Sequence, residues 1–375
     1  MRILICAISS SRKPSGICRH AANLARSLAC REEVSAIILL VGSWQTQYFK
    51  ESFELNSSKL TMVTVDVCSS AIERNIWYLQ RLPSVAREYK PDVVHLSFPI
   101  PFKRDRFSGP VVTSLHDLYP YDIPSNFGLS RVLFNRIILR QCLSCSASIV
   151  CSSEFTLRRL RSLFPEIARS KAVCIYPSVE LGSAKSREPA FSLGVGRPFL
   201  LAVAQHRKNK NLELLLKGFA ILRERGGQWL GMSLLVIGSS GPETGRLKRI
   251  ARQLSLQERV VFRAGVTDSE LSWFYANCEM LFAPSSIEGF GLPVVEALQC
   301  GARVLCSDIP VFHEIAGNAA HYFDLYCSSP AKALADAAII ASRKSSEPPK
   351  GFDKFSSESI AHQHVSLYSR LLATL

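Results

Sequence analysis

Short runs of apolar, often β-branched residues alternate along the chain with stretches whose apolar positions recur at helical spacing. In the first half the runs are Ile3–Ile8, Ser35–Val41, Met62–Val65, Val93–Leu96, Val111–Leu115, Ser148–Cys151 and Val173–Tyr176. In the second half they are Phe199–Val203, Ser233–Ile237, Val260–Phe262, Met280–Ala283 and Val304–Cys306. Runs that are apolar throughout, rather than alternating, suit strands covered on both faces, and strands separated by helices form parallel sheets. The first helical stretch shows the complementary pattern. Ile17, Ala21, Leu24 and Leu28 share a face, with Arg19, Arg26 and Arg31 on others. The first strand is therefore expected to lead through Ser9–Ser15 and Gly16 into a helix.

The pattern lapses between Glu180 and Pro198, where the chain is polar and unpatterned. That stretch, 181–197, reads as a linker between an N-terminal domain, 1–180, and a second βα series, 198–350. A tail, 351–375, carries one more helix, Ser356–Leu372, with Ala361, Val365, Tyr368 and Leu372 on one face. The expected class is α/β: two Rossmann-like, doubly wound domains facing each other across a cleft, with ligands at the carboxyl ends of the strands. The length of 375 residues agrees with two domains, and a hydrophobic fraction of 47 % with 20 % charged residues excludes a disordered chain.

Charge changes the picture little. The formal net charge is +14, with 23 Lys and Arg against 14 Asp and Glu in residues 1–180, and 22 against 17 in the remainder. A basic surface attracts nucleic acid, anionic lipid or anionic substrates. The basic residues are dispersed, and no helix-turn-helix, zinc or aromatic RNA-binding motif accompanies them, which disfavours a nucleic-acid-binding protein. Ser9–Gly16 lacks the G-x-G-x-x-G of a dinucleotide site, which disfavours a dehydrogenase. The apolar run after Met1 is too short for a secretory signal, and no window reaches the ~18–20 apolar residues of a membrane span. A cytoplasmic location is expected, with the 12 cysteines reduced. The lone Cys142-x-x-Cys145 has no second ligand pair and reads as ordinary helix positions. The stretch Leu129–Leu143 mixes Arg131, Arg136 and Arg140 with Val132, Leu133, Phe134, Ile137, Ile138 and Leu139. It suits either peripheral contact with an anionic membrane or a domain helix with a solvated basic edge.

Three segments carry candidate chemistry. The richest is Ala283-Pro-Ser-Ser-Ile-Glu-Gly-Phe-Gly-Leu-Pro-Val-Val-Glu-Ala-Leu-Gln-Cys-Gly. It reads as a strand end, a loop with two glycines, and a helix with Pro293 at its first position and Gly301 past its end. Glu288 falls in the loop and Glu296 in the first helical turn, eight residues on. Free N–H groups at such a helix start favour an anion, and the carboxylates can accept hydrogen bonds from sugar hydroxyls. Either Glu alone also suits the helix dipole. The second segment, Val203-Ala-Gln-His-Arg-Lys-Asn-Lys-Asn-Leu, offers Arg207, Lys208, Lys210 and, if protonated, His206 to an anion; a solvated basic turn is the plain alternative. The third, Val112-Thr-Ser-Leu-His-Asp-Leu-Tyr-Pro, puts His116 and Asp117 at a strand end, where a structural histidine is the plain alternative.

The first of these segments closely resembles the E-x7-E signature of the family-4 glycosyltransferases, a retaining family of GT-B fold. Leu235-Val-Ile-Gly, Val260–Leu271, Tyr275–Ser285 and Ser307–Ala320 are similar to that family's βα units in the same order, so the resemblance covers 198–325. It implies that Glu296 binds the donor ribose and that Glu288 faces the transferred sugar. The backbone of Phe290, Gly291 and Leu292 then holds sugar and phosphates. Lys210 corresponds to a diphosphate-binding lysine. Where the family has Gly-Arg this chain has Ala204-Gln205, and Arg207 supplies the charge, as in a subset containing mannosyltransferases. His116 then meets the donor sugar or reacting centre, with Asp117 beside it. Gly16 approaches the diphosphate, although Cys18 stands where the family often has a second glycine. Arg19 and His20 are expected near the acceptor.

The resemblance implies transfer of a hexose, mannose favoured, from a GDP- or UDP-linked donor to a glycan or lipid-linked glycan in polysaccharide biosynthesis. Anomeric configuration would be retained, with no metal and no other cofactor. Glu288 is expected to bind sugar and stabilise charge rather than act as nucleophile. A nucleotide-sugar epimerase of the same architecture, which needs no acceptor, is the nearest alternative.

Overall fold

The computed structural model describes residues 1–10, 15–53, 55–67, 70–124, 128–180, 186–189, 198–343 and 351–374. The chain divides into two compact units, Met1–Val179 with Asp353–Leu375, and Glu180–Phe352. Most of the expected linker, 181–185 and 190–197, lies outside the described residues.

Unit 1 is built on a seven-stranded sheet. Its strands are β1 (Arg2–Cys6), β2 (Ala36–Gly42), β3 (Leu60–Val65), β4 (Val93–Leu96), β5 (Val111–Leu115), β6 (Ser148–Cys151) and β7 (Ala172–Cys174). They lie in the order β3-β2-β1-β4-β5-β6-β7, every neighbouring pair parallel. The connecting helices are α1 (Gly16–Ala29), α2 (Thr46–Ser52), α3 (Ala71–Gln80), α4 (Leu82–Tyr89), α5 (Tyr119–Asp122), α6 (Leu129–Cys145), α7 (Glu154–Leu163) and α8 (Pro165–Lys171).

Unit 2 repeats the plan with six strands in the order β10-β9-β8-β11-β12-β13, again all parallel. These are β8 (Phe199–Val203), β9 (Ser233–Ile237), β10 (Val260–Arg263), β11 (Met280–Ala283), β12 (Val304–Ser307) and β13 (His321–Phe323). Helices α9 (Leu212–Glu224), α10 (Thr244–Gln253), α11 (Asp268–Asn277), α12 (Leu292–Gln299), α13 (Pro310–Ala316) and α14 (Pro330–Ser342) follow in turn.

Central strands such as β1, β5 and β9 are buried along nearly their whole length, which is why they read as unbroken apolar runs. In both units the order reverses beside the first strand of the unit, the doubly wound topology expected from the sequence.

The last helix, α15 (Ser357–Leu372), belongs to unit 1. The Ser356 side chain caps it by accepting from Ser359 N at 3.3 Å. Ile360, Val365 and Tyr368 of α15 join Leu24 and Leu28 of α1 in one buried cluster with Ile3, Ile5 and Leu39. A fully buried side chain of this size contributes roughly 2 kcal/mol. Because α15 covers α1, burial on α1 is wider than one stripe and includes Cys18, His20, Ala22 and Ala25. Ile17 is only half-buried, and Arg31 lies beyond the helix end at Cys30. No helix of the described residues is long and apolar enough to cross a membrane.

Candidate active site

In unit 2 the strand order reverses between β8 and β11, which are hydrogen-bonded neighbours although β9 and β10 intervene in sequence. Ligands of doubly wound sheets bind beyond the carboxyl ends of the strands at such a reversal. A small pocket of about 20 Å³ opens there, lined by residues that include Ala204, Lys210, Ser285, Glu288 and Gly291. Three sequence candidates, Lys210, Glu288 and Gly291, therefore converge.

Two loops are tied to each other to make this place. Lys210 ends a 3₁₀ turn, Lys208–Lys210, and Asn211 then takes a left-handed conformation (φ 47°) to start α9. Asn211 Nδ2 donates to Pro284 O at 3.0 Å, Asn209 Nδ2 to Ile287 O at 3.4 Å, and Ser286 N to Asn209 O at 2.9 Å. The loop after β8 is thus fastened along the loop after β11. Lys210 Nζ lies 2.5 Å from Glu288 Oε1, which also accepts from Ser285 Oγ at 2.7 Å. Glu288 is 8 % exposed. Two donors on one carboxylate oxygen hold it rigidly against the loop.

Gly291 has φ 102°, and a Cβ on it would lie 2.8 Å from the Phe312 ring. Only glycine fits, for backbone and for space. It opens α12 without any side-chain cap. The first N–H groups of a helix have no partner within it, so α12 offers donors and the positive end of its dipole beside Lys210. Phe290 is buried and Leu292 is the first residue of α12.

Two expectations need correction. Glu296 is the fifth residue of α12, not in its first turn, because the helix already begins at Leu292, ahead of Pro293. Its carboxylate turns inward, 3 % exposed, and Oε2 accepts from Tyr275 OH at 2.9 Å. His206 is no cation for an anion. It is buried, Nδ1 bonds Thr244 Oγ1 at 2.9 Å, and burial lowers its pKa, with Lys248 adding to the effect. Arg207, in the same loop, is half-buried.

In unit 1 the reversal lies between β1 and β4. Gly16 is the first residue of α1, whose start is capped by Ser15 Oγ accepting from Cys18 N at 3.4 Å. Residues 11–14, just before it, lie outside the described residues. Cys18 does not intrude where a second glycine is usual. Its side chain is buried, with Sγ 3.1 Å from Tyr48 OH. His116 follows β5, and its Nε2 donates to the Ser97 carbonyl at 2.8 Å. A carbonyl only accepts, so Nε2 carries the proton and Nδ1 the lone pair. Burial lowers the His116 pKa, so the ring is neutral at pH 7. Asp117 Oδ1 accepts from Tyr119 N at 3.1 Å, starting α5; the Ser97 carbonyl is what orients the imidazole.

Ser285, Tyr275 and Ser97 were not singled out by sequence reasoning. Serine and tyrosine hydroxyls carry no pattern of their own, and Ser97 acts through its backbone. Among the described residues no group of three or more His, Cys, Asp or Glu is placed to hold a metal ion.

Two doubly wound units, one with an uncapped helix start beside a Lys–Glu pair and the other with a histidine at a strand end, are the architecture of a GT-B glycosyltransferase. The chain belongs to the family-4 glycosyltransferases: the model described as Glycosyltransferase Family 4 matches residues 14–182, and that described as Glycosyl transferases group 1 matches 186–351. It is 24 % identical to O-antigen chain mannosyltransferase B of Escherichia coli over 81 % of this chain and 82 % of that one. To O-antigen chain mannosyltransferase RfbU of Salmonella typhimurium it is 25 % identical, over 56 % of this chain and 55 % of that one. Among solved structures, sucrose-phosphate synthase from Thermosynechococcus elongatus has the same fold, with a TM-score of 0.71, 16 % identity and full coverage of both chains.

Proposed function

We propose that this glycosyltransferase moves mannose, with retention of configuration and without a metal, from a GDP- or UDP-linked donor to a glycan or lipid-linked glycan. The observation that carries the reading is the Lys210–Glu288 pair beside the open start of α12 at the strand reversal. The mannosyltransferase relatives support the sugar.

In this reading Glu296 accepts from the ribose hydroxyls, and Tyr275 holds its carboxylate in place. Lys210, Arg207, the backbone of Gly291 and Leu292, and the approach at Gly16 neutralise the diphosphate as it leaves. Glu288 accepts from sugar hydroxyls and stabilises the positive charge that builds on the ring; Phe290, His116 and Asp117 also contact the sugar. The leaving phosphate oxygen takes the proton of the incoming hydroxyl on the same face, so no carboxylate nucleophile is required. An epimerase would share the donor site but release product without an acceptor.

The exposed face of α6 suits the membrane on which a lipid-linked acceptor resides. Leu129, Leu133 and Ile137 are 90 %, 63 % and 59 % exposed at successive turns, with Arg140 exposed one turn further along the same side and Arg131 exposed elsewhere on the helix. An apolar stripe with Arg140 at its end, on a helix that is otherwise basic, fits an anionic interface.

The test is a thermal-shift panel of UDP, GDP and ADP with their common sugar conjugates, in EDTA, since a ligand bound only by the folded form raises Tm. A rise with GDP-mannose or UDP-mannose, lost in Glu296→Ala, followed by transfer with retained configuration by NMR, supports the reading. No rise with any donor far above micromolar concentration refutes it. Vesicles of phosphatidylglycerol should retain the protein and lose it on Arg131→Glu/Arg140→Glu. Unchanged retention refutes the role of α6.

A further inference from the structure

Beneath His116, unit 1 holds a buried line of polar groups that the proposed function leaves without a part. His20 of α1 places Nε2 3.0 Å from Ser114 Oγ of β5. The same oxygen lies 2.8 Å from Nε2 of His95 on β4. His95 Nδ1 in turn lies 2.7 Å from Tyr368 OH of α15. His95 and Tyr368 are fully buried, and Ser114 and His20 are 1 % and 6 % exposed. The His20 and His116 rings pack edge to face with centroids 4.6 Å apart.

One placement of protons gives every buried donor in this line an acceptor. Tyr368 O–H donates to His95 Nδ1, His95 Nε2–H to Ser114 Oγ, and Ser114 O–H to His20 Nε2. His20 then carries its proton on Nδ1. The reverse direction leaves the Tyr368 hydroxyl proton buried without an acceptor. If both histidines donate to Ser114, the serine proton is stranded instead. A buried donor without a partner is the costly case.

We propose that His20 is a second sugar-reading side chain beside His116, held by Tyr368, His95 and Ser114 in the tautomer whose Nδ1–H points away from the line. Tyr368, His95 and Ser114 are positioning residues and touch no substrate. The inference deepens the reading above and rests on His116 facing the sugar. His116 Nδ1 accepts and His20 Nδ1–H donates, on adjacent neutral rings. A sugar hydroxyl both donates and accepts, so the pair can satisfy one fully, or two neighbouring ones. A site built to bond hydroxyls rejects the analogue that lacks them, because its buried polar groups are then left unpaired. The tie also makes α15 part of the sugar site, through three hydrogen bonds rather than by contact.

The tautomers are read directly by long-range ¹⁵N–¹H correlation on the full chain labelled at histidine, at pH 7.5. The proposal expects His20 protonated at Nδ1 and His116 at Nε2. His20 protonated at Nε2 overturns it, and that outcome involves no ligand, so it is separate from any failure of the donor assignment. In Ser114→Ala the line is cut, and His20 should move toward the Nε2–H form that free imidazole side chains favour; an unmoved His20 removes Ser114, His95 and Tyr368 from the proposal. With GDP-mannose added, both His20 nitrogens should shift more than with GDP alone. If GDP-mannose raises Tm beyond GDP yet leaves His20 where GDP leaves it, the sugar contact is wrong. His20→Ala should lower kcat/KM by about tenfold, the worth of one hydrogen bond to a neutral group.

Discussion

A charged pair with little exposure is asymmetric, since losing one partner strands the other. Lys210 and Glu288 retain 20 % and 10 % of their side-chain exposure. Lys210→Met leaves the Glu288 carboxylate with Ser285 as its remaining partner among the bonds described above. The expected destabilisation is roughly 2 kcal/mol, below the range for wholly buried pairs because water still reaches the lysine. Lys210→Met/Glu288→Gln should recover about half of it, because no charge is then stranded. Urea unfolding of both variants decides; a double variant less stable than the single one contradicts this account. Turnover behaves differently. In the proposed reading Lys210 is a donor to the leaving diphosphate, so loss of its charge should cost about 100-fold in kcat, and Glu288→Gln does not restore it. At this scale the sequence shows the chemistry of the site better than its wiring. Lys210 and Glu288 stand out by motif, yet 78 positions separate them and nothing in the residues says they pair. The Tyr275–Glu296 bond and the buried His206 are equally silent, because each depends on which way a side chain turns.

At the scale of elements, α12 begins where Gly291 allows it to begin. Gly291→Ala forces a side chain into φ 102° and against Phe312 at 2.8 Å. Strain and overlap together should cost roughly 3 kcal/mol and displace the helix start that the proposed reading assigns to the diphosphate. Gly301→Ala is the control: it also has positive φ (79°) but open space around the added carbon, so roughly 1 kcal/mol is expected. Near-equal losses of stability for the two variants would mean that the Phe312 contact is unimportant. The elements themselves are mostly visible in the sequence, since strands buried on both faces must be apolar throughout. β13 escapes because its three residues, His321-Tyr-Phe, are too short and too polar to form a run. Glu296 falls one position later in α12 than the sequence suggests, and so past its first turn, because proline suits either of the first two helical positions. α15 shows its amphipathic face in sequence, but His364 sits on that face too, and helical spacing cannot reveal that it is buried beside His95.

At the scale of the whole molecule, histidine burial is uneven and should make acid sensitivity uneven. Unit 1 holds His20, His95, His116 and His364 together, from α1, β4, the end of β5 and α15, with Tyr368 and Ser114 among them. His364 donates Nδ1–H to Ile360 O at 2.9 Å, while its Nε2 is buried without a partner. Protonation would put a charge and an unsatisfied N–H there, and burial holds the pKa down at about 4. Burial also lowers the pKa values of His20, His95 and His116, and neighbouring histidines lower those of His20 and His95 further. For a group whose folded pKa lies below its unfolded value, the unfolded chain binds more protons between the two. Stability is therefore complete above pH ~6.5 and is lost as pH falls toward the folded pKa. For His364 alone the loss by pH 4 is roughly 3 kcal/mol. Unit 2 has one such histidine described, His206. Hydrogen exchange followed from pH 7.5 to 4.5 should thus show protection falling first in β1, β4, β5 and α15, before β8, β9 and β11. His364→Leu, which removes one titrating ring from an apolar setting, should shift that loss to lower pH. Parallel loss in both units, or a His364→Leu profile that overlies the wild type, would mean that the cluster does not govern acid stability.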